Sequence, residues 1–165
     1  MSVAVVVGNP KAGSRTLAAA EVVAAELAGR PPDVVVDLVQ LGPDLLAPSS
    51  PRLSKAVADV QASSLTVFAS PTYKASFTGI LKLFLDGVGT GSLAGVTAVA
   101  LMLGGDLRHS LAPEVFLKPV LNELGASCPV PGLFLLERNW DDPSALAPWL
   151  ERARPLLVSL GAGVP

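Results

Sequence analysis

Five short apolar runs punctuate the chain, at residues 3–7, 34–38, 65–69, 96–103 and 133–136, each bounded by glycine, proline or polar residues. Their hydrophobicity is nearly continuous rather than alternating. That is the pattern of strands buried on both faces in a parallel sheet. Between these runs, apolar residues recur with helical period over residues 16–28, 53–62, 77–88, 111–124 and 145–160. Strand and helix therefore alternate along the chain, which predicts an α/β fold with helices covering both faces of the sheet.

Five strands in 165 residues favour a flavodoxin-like three-layer sandwich, with a five-stranded parallel sheet in the order 2-1-3-4-5, over a larger six-stranded sheet. All of the chain, residues 1–165, is expected to form one domain. In sheets of this kind, ligands bind outside the carboxyl ends of the strands, at the point where the strand order reverses. That rule gathers three loops: residues 9–16 after the first strand, 70–76 after the third and 104–109 after the fourth.

The first loop, Gly8-Asn9-Pro10-Lys11-Ala12-Gly13-Ser14-Arg15-Thr16, nearly matches two nucleotide-binding loops and fails both. A Walker A loop requires Lys and then Ser or Thr directly after its second glycine, and Ser14-Arg15-Thr16 stands there instead. The Gly-x-Gly-x-x-Gly spacing of a dinucleotide loop is absent. Two hydroxyls, a guanidinium and the open N–H groups of a helix N-terminus suit a single terminal phosphate. Ser14 as a plain helix cap is the alternative.

Charge and composition narrow the function further. A net charge of −2 without a basic run argues against nucleic acid or an anionic membrane as the main partner. One cysteine, Cys128, excludes an intramolecular disulfide framework and suits a reducing cytoplasm. The N-terminus lacks the basic n-region of a signal peptide, so a cytoplasmic protein is expected. The uncharged stretch 87–105 is broken by glycines and hydroxyl residues, and it reads as a loop and a buried strand. No metal-ligand spacing is present, and Gly-x-Ser-x-Gly is missing. The tail after Leu160 reads as frayed.

The second loop is the most distinctive: Ser70-Pro71-Thr72-Tyr73-Lys74-Ala75-Ser76-Phe77-Thr78-Gly79-Ile80-Leu81-Lys82. Together with the first loop, the Gly104-Gly105-Asp106-Leu107-Arg108-His109 loop and the segment Leu117-Lys118-Pro119-Val120-Leu121, it resembles the NAD(P)H-dependent FMN reductases. The resemblance is greatest to those that supply reduced flavin to two-component alkanesulfonate monooxygenases, and it runs from Val3 to Leu136. It implies FMN as cofactor or substrate and NADPH or NADH as hydride donor. By the same resemblance Ser14, Arg15 and Thr16, with Asn9 and Lys11 nearby, hold the FMN phosphate. Pro71, Thr72, Tyr73 and Lys74 border the isoalloxazine, and Gly104, Gly105 and Asp106 its pyrimidine end. His109 has two readings, a cofactor neighbour or a surface residue at a helix start. In related members a tyrosine often stands where this chain has Phe77, at the start of a helix that in some of them contains a π-bulge and packs across subunits; Phe77 departs from that pattern.

These residues point to a flavin reductase that needs no protein acid or base, since hydride passes directly between nicotinamide and flavin. Two alternatives remain open at this stage. One is an enzyme with tightly held FMN that reduces a quinone, azo dye or metal oxyanion; the other is a non-catalytic flavodoxin-type carrier. Helices 80–88 and 111–124 carry more apolar residues than a single stripe requires, which predicts a homodimer or homotetramer. Trp140 and Trp149 read as core or interface residues.

Overall fold

The computed structural model describes residues 1–161; the fraying expected of the tail falls, from residue 162 onward, outside the described residues. The strands are β1 (Val3–Val7), β2 (Val34–Asp37), β3 (Leu65–Pro71), β4 (Thr97–Gly104) and β5 (Leu133–Leu136). They form one parallel sheet in the order β2-β1-β3-β4-β5, the flavodoxin-like arrangement. The helices are α1 (Arg15–Ala28), α2 (Pro51–Gln61), α3 (Gly79–Asp86), α4 (Lys118–Glu123) and α5 (Pro143–Ser159). Among the described residues no helix is long and apolar enough to cross a membrane.

Every residue of β1, β3 and β4 is buried, whereas the edge strands β2 and β5 are only partly so. This is why the central runs read as continuous apolar segments. The sheet separates two cores. On one face α1 and α5 pack Val23, Leu27, Trp149 and Leu157 against Val5, Val67 and Leu101. On the other, α2, α3 and α4 pack Val60, Phe84 and Leu121 against Val6, Phe68 and Met102. Trp149 is buried and its indole Nε1–H donates to the Pro131 carbonyl at 2.8 Å, so it is a core residue.

The apolar surplus of α3 is mostly absorbed within the chain. Leu81, Phe84, Leu85 and Val88 are buried, while Ile80 and Leu83 pack half-buried on the same core. The segment before α4 differs. Residues 111–124 read as one helix, yet Pro113–Leu117 forms a turn of π-helix, with the Lys118 N–H reaching the Pro113 carbonyl five residues back. A wide turn needs a local cause. Pro119 lacks an N–H, and its ring cannot sit against the carbonyl four residues earlier in a regular α-helix. The π turn therefore belongs to this segment, and α3, the helix after Phe77, is regular.

Candidate functional site

The carboxyl ends of all five strands lie along one edge, because the registers pair Val7 with Asp37 and Ala69, Pro71 with Leu103, and Gly104 with Leu136. Two tethers bring the first two loops together there. The Gly8 N–H donates to the Ala69 carbonyl at 2.8 Å, continuing the sheet past β1. Thr78, buried at the start of α3, donates its hydroxyl to the Gly8 carbonyl, and its N–H donates to Ser70 Oγ at 3.0 Å.

In the first loop Gly13 has a φ of +59°, which a residue with a Cβ rarely adopts. That turn sends the Gly13 N–H to Asp37 Oδ2 at 3.3 Å and launches α1. Ser14 is buried and caps the helix, its Oγ accepting from the Leu17 N–H at 3.2 Å. Asn9 braces the loop from within: its Nδ2 donates to buried Thr16 Oγ1 at 3.0 Å, and its Oδ1 accepts from the Lys11 N–H at 2.9 Å. The backbone N–H groups of Ser14, Arg15 and Thr16 find no partner among the described residues. Converging open donors at a helix N-terminus are what an anion requires. Arg15 reaches across the mouth to the end of β5, donating to the Glu137 carbonyl at 3.2 Å and to its Oε2 at 3.1 Å.

The second loop is a tight hairpin in which Tyr73 and Ser76 exchange backbone hydrogen bonds, 2.9 and 3.2 Å long. Its two central residues, Lys74 and Ala75, have φ values of +51° and +67°. Left-handed conformations in residues with side chains cost of the order of 1–3 kcal/mol each and gather at ligand sites. Pro71 is buried at the end of β3, and Tyr73 stands 52% exposed above the cleft. Thr72 Oγ1 is buried with no hydrogen-bond partner. An unsatisfied hydroxyl costs about 1–3 kcal/mol, so it marks a position where a polar ligand atom is welcome.

The third loop starts at buried Gly104, where a Cβ would lie 2.6 Å from Phe134 Cζ and 3.1 Å from Thr72 Oγ1. Gly105 has open space around it. Asp106 caps the short 3-10 turn Leu107–His109 by accepting from the Arg108 N–H at 2.8 Å, and it pairs with the Arg108 side chain at 2.9 Å. Those two bonds from Arg108 hold the Asp106 carboxyl below the usual carboxylate range.

Of the residues singled out in the sequence, Asn9, Lys11, Ser14, Arg15, Thr16, Pro71 and Tyr73 line one polar cavity of about 330 Å³, joined by Gly13, Leu103 and Glu137. Thr72, Lys74, Gly104, Gly105, Asp106 and His109 stand outside that lining, on the adjoining loops. Sequence reading missed Asp37 and Glu137. Both directly end or follow an edge strand, and the strand-end rule applied to β2 and β5 would have found them. Burial pushes the Asp37 carboxyl up, while hydrogen bonds from the Gly13 and Val39 N–H groups oppose that shift. Cys128 is half-buried, and burial raises its thiol to about 11, so it is no nucleophile at neutral pH.

A larger cavity of about 440 Å³ lies between α1 and α5 beside Trp140, but it is lined by helix side chains and by Asp141, Asp142 and Glu151. Its four carboxylates, Glu26 included, against the single cation Arg154 disfavour a phosphate there. The residues at the first loop fit a phosphate monoester, and the Pro71, Tyr73 and Leu103 wall beside it suits a flat aromatic ring.

A family model described as NADPH-dependent FMN reductase matches residues 1–141. The FMN reductase (NADPH) of Escherichia coli (strain K12) is 33% identical over 138 residues, 81% of this chain and 72% of that protein. The NADH-dependent FMN reductase SfnF of Pseudomonas putida is 30% identical over 170 residues, 97% of this chain and 91% of that protein. The apo crystal structure of an NADH:FMN oxidoreductase (EMOB) superposes with a TM-score of 0.86 at 28% identity, covering 96% of this chain and 89% of that one.

Proposed function

The chain belongs to the family of NADPH-dependent FMN reductases, an oxidoreductase using NADPH or NADH with FMN, and from this we propose that it reduces FMN as a dissociable substrate and hands reduced FMN to a partner flavin-dependent monooxygenase. The observation that carries this reading is the set of open N–H groups at Ser14, Arg15 and Thr16, facing the Pro71 and Tyr73 wall across the cavity.

In this reading the N–H groups of Arg15 and Thr16 and the hydroxyls of Ser14 and Thr16 hold the FMN phosphate, with the positive end of α1 behind them. Asn9 orients the Thr16 hydroxyl, and Asp37 fixes the Gly13 turn. Pro71 and Tyr73 flank the isoalloxazine, and the strained hairpin at Lys74 and Ala75 keeps that wall in place. Thr72, Gly104, Gly105, Asp106 and His109 border the far end of the ring. Bound FMN supplies the hydride acceptor, its N5, for the nicotinamide. The chain's part is positional: it aligns the two rings and leaves one flavin face accessible. Lys11 and Arg108 are candidates for contacting a nicotinamide 2′-phosphate; Arg108 is held by Asp106 and Lys11 is exposed.

Exposure of Tyr73, Gly105 and Asp106 makes the site shallow, which favours release of the flavin over permanent retention. The protein is therefore expected to purify colourless, and anaerobic stopped-flow at ~450 nm is expected to show added FMN bleaching with NADPH or NADH. A yellow protein that passes electrons only to a quinone would contradict the proposal.

A homo-oligomer is proposed on the same footing. Leu107, Leu111, Val115 and Phe116 are all exposed beside the π turn, an apolar face with no cover in the monomer. Sedimentation at micromolar concentration is expected to give a species heavier than 16.8 kDa, and monomer alone would refute it.

A further inference from the structure

We propose that Glu137 is a built-in competitor for the phosphate site, setting FMN affinity low by claiming Arg15; this rests on the reading of the first loop as the phosphate holder. Three observations support it. The Arg15 guanidinium spends both of its terminal nitrogens on residue 137, one on the carbonyl and one on the carboxylate. Glu137 lines the same cavity as Ser14, Arg15 and Thr16, so its carboxylate faces any anion held there. Its backbone is anchored at the cleft, because the Glu137 N–H donates to the Gly104 carbonyl at 2.9 Å just past β5.

A phosphate monoester carries a charge of about −1.5 to −2 at neutral pH. Binding it beside Glu137 sets like charges together, and drawing Arg15 fully onto the phosphate breaks the existing pair. The side chains of Arg15 and Glu137 are 61% and 37% exposed, so the competition is modest rather than prohibitive. Behind the loop Asp37 adds a second carboxylate, bound to the Gly13 N–H. A site that retained FMN permanently gains nothing from this balance. A site that must let reduced FMN go does, since Glu137 recaptures Arg15 as the phosphate leaves.

The test is a fluorescence titration of wild type and Glu137→Gln with FMN and with riboflavin, which lacks the phosphate. Glu137→Gln is expected to tighten FMN binding about two- to fivefold and to leave riboflavin binding unchanged. FMN binding that is unchanged or weaker in the variant overturns the inference, because Glu137 then merely positions Arg15 or does nothing. Equal tightening of both flavins also overturns it, since the effect would not pass through the phosphate. Wild-type protein that binds riboflavin as tightly as FMN overturns the phosphate-site reading itself, and the inference with it.

Discussion

Replacing Gly8 with alanine is expected to destabilise the protein by about 3 kcal/mol, the upper part of the range for overpacking a filled interior. A Cβ at this position would lie 2.4 Å from Leu81 Cβ and 3.0 Å from Leu81 Cα. The obstacle includes the backbone of α3, so no rotamer change relieves it. The helix must retreat, which also pulls Thr78 away from the Gly8 carbonyl and separates the two loops of the site. Urea unfolding should show a lower midpoint with little change in slope, together with weaker FMN binding. Gly79→Ala is the matched control, because a Cβ there meets nothing within 4 Å. A Gly8→Ala variant as stable as that control would show that α3 does not press on the first loop as described.

Arg15→Ala is expected to weaken FMN binding by about 1.5 kcal/mol, roughly tenfold, the lower end for a hydrogen bond to a charged group. The lower end applies because Arg15 is largely exposed and already paired with Glu137. The open N–H groups of the helix N-terminus remain in the variant, so binding is reduced rather than abolished. Riboflavin affinity should not change, since the removed side chain acts on the phosphate alone. Equal FMN affinity in wild type and variant, measured by isothermal titration, would show that Arg15 serves only its ion pair.

Much of this fold is legible from patterning because the sheet is parallel and covered on both faces. The limits of β1 and β5 follow directly from their apolar runs. β3 runs on to Pro71 because a proline can end a strand where its missing N–H is not needed; Pro71 pairs in register with Leu103, and the following Thr72 N–H takes up the bond to the Leu103 carbonyl. The π turn at Pro113–Leu117 was hidden because apolar spacing alone does not separate an α turn from one widened by a residue. Pro113 and Pro119 were the available signals.

In the candidate site, the first loop is legible from its residue chemistry and the Pro71 and Tyr73 segment from the family resemblance, and the structure gathers them around one cavity. Asp37 and Glu137 escaped because each looks like an ordinary polar residue ending an apolar run, and their significance comes only from strands β2 and β5 ending at the same edge as β1. The hairpin strain at Lys74 and Ala75 was equally invisible, since neither residue type announces a left-handed conformation.

The most direct measurement is a crystal structure of the protein soaked with FMN. The account predicts the phosphate within hydrogen-bond distance, roughly 2.7–3.1 Å, of the Arg15 and Thr16 N–H groups, with the ring against Pro71 and Tyr73. A phosphate bound elsewhere, for example in the groove beside Trp140, would contradict it.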